Sequence, residues 1–73
     1  MHSLATLKQD PDALLKQHEL CDLIGKSEAW AERQRWAKTG PAYIKLGRAV
    51  RYRAGDVLAW LDNQRVDTAR GAA

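Results

Sequence analysis

The chain has 73 residues, 45% hydrophobic and 29% charged, which predicts one small domain able to bury only roughly 60% of its unfolded-chain surface. No run approaches the ~18 continuous apolar residues of a membrane span, MHSLATLKQD lacks a signal peptide's apolar core, and the lone Cys21 with His2 and His18 offers neither an internal disulfide nor a spaced zinc set, so a cytoplasmic protein without metal or cofactor is expected. The net charge of +3 is unevenly spread, with +6 on residues 26 to 53 between flanks at −2 and −1, the footprint either of a solubilising surface or of a site for a polyanion.

Residues 1 to 13 show no sustained periodicity, and the turn signal Asp10-Pro11-Asp12 sets them apart, which predicts a loose arm. Leu20, Leu23 and Ile24 then fall at helical spacing, with Glu19 near the start and Gly25 past the end, predicting a first helix over about 17–24. Leu15 would staple its start against Leu20. Lys16 occupies the position where a capping Ser or Thr is wanted, so that end is expected to fray. Cys21, a small residue between these apolar positions, reads as packing rather than chemistry.

Ser27 is a good N-cap, and EAWAERQRWAK runs without a breaker to Thr39-Gly40-Pro41, which predicts a second helix of about three turns. At 100° per residue Trp30, Ala31, Gln34 and Lys38 share one side, and Ala29, Glu32, Arg33 and Trp36 share the other. The first side holds the better packing candidates, so the second faces outward. Trp36 is either exposed for a purpose there or packed under a loop or the following hairpin.

A helix, a Gly-containing turn and a capped second helix have the layout of a helix-turn-helix, although short helix pairs also occur as mere structure. The segment after Pro41 separates the two readings. Tyr43-Ile44-Lys45-Leu46 and Val50-Arg51-Tyr52-Arg53 alternate as strands do, and Gly47-Arg48-Ala49 supplies a turn between them. In this hairpin wing Val50 and Tyr52 point to the core, Arg51 and Arg53 point away, and Arg48 stands at the tip. Residues 54–64 read as a third helix, with Asp56 in its first turn and Val57, Trp60 and Leu61 as its apolar stripe. Trp60 is assigned to the core, and Leu58, beside the stripe, to a partly exposed position open to a contact between protomers. The fold expected is α+β, mostly α: a winged helix-turn-helix with two N-terminal helices, a two-stranded hairpin and a C-terminal helix over residues 14–64, followed by a disordered tail over 65–73.

These residues carry a resemblance. Leu14-Leu15, the run Glu19 to Ser27, Trp30 with Glu32-Arg33, the run Gly40 to Arg48, Val50 to Arg53 and Asp56 to Leu61 resemble excisionase and AlpA-type DNA-binding proteins, small winged helices related to the MerR-type DNA-binding head. The resemblance covers residues 14 to 61 and departs from the family at Lys16, often Thr, at Ala42, often Pro, and at Gly55, often Ser. It implies double-stranded DNA as the partner, with the second helix in the major groove and the wing at the adjacent minor groove or backbone.

On that reading Arg33 is the first candidate for base readout, since its guanidinium can fork onto guanine. Ala29 and Trp36 share its face. Glu32 could accept from cytosine or pair with Lys26 or Arg35. Arg35 and Lys38 are assigned to phosphates, and Ser27 with the first free N–H groups of the helix to another. Arg48 and Arg51 would enter a minor groove, with Lys45 and Arg53 beside it.

One such domain reads few base pairs, and no heptad pattern offers a coiled-coil dimer, so copies side by side on DNA are expected. The resemblance implies a recombination directionality factor that bends DNA beside a tyrosine or serine recombinase, the integrase of a mobile element such as a prophage. An AlpA-type transcriptional regulator is the second reading. A third is a protein-interaction module, an inhibitor or antitoxin whose basic face meets an acidic partner. No catalytic arrangement is legible, so an enzyme is not expected. No small-molecule ligand is expected either.

Overall fold

The computed structural model describes residues 3–66. Its elements in chain order are α1 (Leu4–Gln9), β1 (Leu14–Lys16), α2 (Gln17–Ile24), α3 (Glu28–Ala37), β2 (Ile44–Leu46), β3 (Ala49–Arg53) and α4 (Ala54–Asn63). The three strands form one antiparallel sheet in the order β1-β3-β2. Among the described residues, no helix is long and apolar enough to cross a membrane. The arrangement is a small winged helix-turn-helix.

The helices begin and end where local chemistry satisfies their free backbone groups. Ser27 Oγ accepts the Trp30 N–H at 3.0 Å and caps α3. Gly25 closes α2 in the left-handed region, at φ 71, where a glycine carries no Cβ penalty. The expected fraying at Lys16 is replaced by a cap from inside the helix. Glu19 reaches back so that its Oε1 accepts the Lys16 N–H at 2.8 Å, half of a capping box without the hydroxyl.

Within the loose arm expected over residues 1–13, Leu4–Gln9 form an ordered helix of the domain. Ser3 Oγ accepts the Thr6 N–H at 3.2 Å and starts α1, and Leu7 is buried in the core. α1 packs against α4. With six residues this helix presents one inward apolar position, too few to register as a periodicity.

The sheet likewise exceeds the predicted two-stranded hairpin. Leu14, Leu15 and Lys16 pair with Arg53, Tyr52 and Arg51, so the segment expected only to staple α2 is a third strand on the outer edge of β3. Its alternation is visible in burial alone: Leu15 is fully buried between exposed neighbours. Leu15 and Leu20 both belong to the core, with Leu7, Tyr52, Ala54 and Val57.

A hydrogen-bonded joint links the turn before β1 to the start of α4. The Gly55 N–H donates to Pro11 O at 2.7 Å and the Ala54 N–H to Ala13 O at 2.8 Å. A Cβ on Gly55 would stand 3.2 Å from Pro11 O and 3.0 Å from Arg53 Nη1, so glycine lets the two segments approach this closely.

Along α4, Val57 is buried and Leu61 packs on the core as expected, and Leu58 is partly exposed as expected while also packing against the core. Trp60 corrects the expectation of a core tryptophan. It is half-buried, and its ring meets Trp30 at 5.9 Å with a 60° tilt, so the two indoles cover each other at the edge of the helix bundle. Of the tail predicted over 65–73, only Arg65 and Val66 are described, both exposed and outside any regular element, and the rest lies outside the described residues.

Candidate nucleic-acid interface

α3 has two faces of different character. Ala31 is buried and Trp30, Gln34 and Arg35 are half-buried, whereas Ala29, Glu32, Arg33, Trp36 and Ala37 stand exposed. The exposed five line one shallow depression. Trp36 is 89% exposed, so of the two alternatives open from the sequence, packing beneath a loop or the wing is excluded.

Arg35, assigned to a phosphate on the resemblance, has partners within the domain. Its Nη1 donates to Tyr52 Oη at 2.8 Å and to Gln17 Oε1, and its guanidinium lies 5.9 Å from the centre of the Tyr43 ring. One side chain therefore ties α3 to α2, to the segment leading into β2, and to β3. The Gln17 amide extends the network, donating from Nε2 to Glu28 at 3.0 Å and to Glu32 at 3.4 Å. Glu32 thus takes neither Lys26 nor Arg35 as its ion-pair partner; Lys26 Nζ instead stands over the Trp30 ring at 5.7 Å.

Gln17 and Tyr52 Oη are positioning groups that sequence reasoning passed over. Two signals were available. Arg35 is four residues from buried Ala31 and so shares its face, and a buried tyrosine hydroxyl requires a partner.

Arg53, expected beside the wing's minor-groove contact, also has partners within the domain. Its Nη2 pairs with Asp12 Oδ1 at 3.0 Å and its Nη1 with Asp56 Oδ1 at 3.3 Å, so it bridges the Pro11 turn and the start of α4 at the surface. The pleat orients it away from Tyr52 as predicted; an anion from a strand-distant turn then captures it. Arg51 is half-buried and donates from Nη1 to Val50 O at 2.9 Å. Ser27 spends its hydroxyl on the cap.

Arg33, Lys38, Lys45 and Arg48 are exposed and form no ion pair among the described residues. Lys38 is the C-cap of α3 and holds φ 61, the positive φ found at no other non-glycine residue described. Its N–H donates to Arg35 O at 3.1 Å, and the next N–H, of Thr39, to Gln34 O at 2.8 Å. This tight turn ends the helix with the Lys38 side chain outward. Within residues 26–53, Arg33 and Lys38 on α3 and at its end, and Lys45 and Arg48 on the β2–β3 hairpin, thus stand at the surface.

Cys21 is buried, and its Sγ donates to Ser27 O at 3.4 Å across the helix-helix turn. Burial pushes the thiol pKa up, Glu28, Asp22 and Glu32 add to the rise, and Arg35 opposes it. The group is a packing residue at the turn, as read from the sequence.

A family profile described as a helix-turn-helix domain matches residues 14–65, which is 52 of the 73 residues. No curated protein and no solved structure matches the chain. A helix-turn-helix domain indicates DNA binding, in keeping with an inner α3 face held by packing and an outer face left bare. On a match spanning this much of its length, the chain belongs to the helix-turn-helix domain family.

Proposed function

We propose that the protein is a sequence-specific double-stranded DNA-binding factor of excisionase type, a recombination directionality factor that bends DNA to promote excision of a mobile element by its integrase. One observation carries the DNA-contact part of this reading: α3 is anchored from behind by Ala31 and Arg35 while Ala29, Glu32, Arg33 and Trp36 face outward. A helix fixed on one face and bare on the other is what entry into a major groove requires. Arg33 reads guanine there, Glu32 accepts from cytosine, and Lys38 contacts phosphate. The first turn of α3 behind Ser27 supplies N–H groups to another phosphate. The wing brings Arg48 and Arg51 to the adjacent minor groove with Lys45 beside them. Resemblance to the excisionases supports the recombination role, and the short recognition helix supports copies of the protein side by side on DNA.

The test is a footprint on DNA flanking the element's attachment site. Cooperative protection of direct repeats beside an integrase core site, with bending, supports excision. Protection confined to one promoter moves the assignment to an AlpA-type regulator. Unchanged DNA binding by the Arg33→Ala, Arg48→Ala double variant sinks both and favours an acidic protein partner.

A further inference from the structure

The depression on the outer face of α3 has a composition that phosphate contact does not explain. Ala29, Glu32, Arg33, Trp36 and Ala37 line it, at positions i, i+3, i+4, i+7 and i+8 of one helix face. Two short methyl side chains stand at its ends, and an indole that is 89% exposed forms one wall. The two polar members have opposite charge. A carboxylate in the wall repels a phosphate, whereas it accepts a hydrogen bond from an exocyclic base amine; the arginine beside it presents two parallel donors to the O6 and N7 of guanine. The site is therefore built for base edges rather than backbone.

Among base edges in the major groove, the apolar group is the methyl at C5 of a pyrimidine. We infer that Trp36, with Ala37 at its end of the depression, receives the 5-methyl group of a pyrimidine that neighbours the guanine read by Arg33, an inference that rests on the DNA-binding reading above. Trp36 is then a specificity-determining residue, and its exposed ring is covered when DNA binds. Thymine and 5-methylcytosine present the same methyl group, so the methyl is what the site recognises.

The experiment uses the full chain and a duplex selected by it from a randomised pool, resynthesised with uracil for thymine, and with cytosine or 5-methylcytosine at the position next to the essential guanine. Removing the recognised methyl is expected to weaken binding about 4-fold, the equivalent of one buried methylene. Thymine as the natural source is supported when the thymine duplex exceeds the uracil duplex and 5-methylcytosine remains weaker than thymine. 5-Methylcytosine is the source when it binds at least as tightly as thymine and more tightly than cytosine. Trp36→Ala abolishes the dependence on the methyl, and Trp36→Leu, which keeps an apolar wall, retains part of it. Equal binding to thymine and uracil duplexes by the unmodified protein, or undiminished discrimination by Trp36→Ala, overturns the inference and leaves the DNA-binding reading intact. Failure to select or bind any duplex overturns both.

Discussion

Arg35 Nη1 donates to the hydroxyl of buried Tyr52 at 2.8 Å, and through this contact the bare helix α3 and the hairpin share one clamp. A hydrogen-bonded cation thus joins the helix to the hairpin inside the protein. Removing Arg35 leaves the Tyr52 hydroxyl and the Gln17 amide without their donor. Arg35→Met is expected to cost about 2 kcal/mol, in the range for hydrogen bonds to a charged group, and to lower Tm by roughly 10 °C in a domain of this size. Tyr52→Phe costs about 1 kcal/mol. In a double-mutant cycle by thermal denaturation the two changes couple by at least ~0.5 kcal/mol; strict additivity would show that the clamp does not act as a unit.

The order of α1 has a direct test in Leu7, which is buried while Leu4 is 49% exposed. Leu7→Ala is expected to destabilise by about 2–4 kcal/mol, the range for truncating a core leucine. Leu4→Ala costs less than about 1 kcal/mol. Urea titration of both variants distinguishes a docked helix from an arm, because an arm would make the two substitutions equivalent.

Lys38 separates stability from binding. Its φ of 61 is a conformation glycine adopts without the Cβ penalty. Lys38→Gly therefore raises stability by about 0.5–1 kcal/mol while removing a proposed phosphate contact. Calorimetry paired with DNA titration should move in opposite directions; a loss of stability would contradict the cap geometry.

Salt dependence counts the cations that meet DNA. With Arg35 and Arg53 engaged by other residues of the domain and Arg33 proposed for a base, Lys38, Lys45, Arg48 and Arg51 remain for the phosphate backbone and the minor groove. The log–log slope of affinity against salt is then about −4, shallower than if all the predicted cations touched the backbone. Arg48→Ala reduces its magnitude by about 1, and Arg35→Met leaves it unchanged although binding weakens.

The buried Cys21 thiol ties stability to alkaline pH. Its pKa is raised by burial and by neighbouring carboxylates, so the unfolded thiol ionises first as pH rises. The folded state is favoured fully below the unfolded pKa of about 8.5, and that advantage is lost as pH climbs through the higher folded value. Native protein is expected to react slowly with a thiol reagent at pH 8 and rapidly once unfolded in urea. Cys21→Ala flattens the alkaline limb of the stability profile.

Much of this domain is legible in its residues because several elements repeat their instructions. The span Gln17–Ile24 follows from Leu20, Leu23, Ile24 and Gly25, and α3 follows from Ser27 and an unbroken run. The outward set of Ala29, Glu32, Arg33 and Trp36 follows from helical geometry alone. The hairpin follows from alternation around Gly47. Each has local redundancy, so no distant partner is needed to find it.

Tertiary structure decided the elements that rest on single residues, and the fate of the long cations. Leu7 and Leu15 each supply the one buried position of a short segment, and only α4 and β3, far along the chain, give them a surface to cover. Trp60 stops short of full burial because its partner at the bundle edge is another indole, that of Trp30. Arg35 and Arg53 share the basic segment with Arg33 and Arg48, yet a buried phenol engages Arg35 and two carboxylates engage Arg53. Residue order places the positive charge along the chain; folding selects which guanidinium groups find partners within the domain and which do not, because a flexible cation goes to the acceptor that the fold brings within reach.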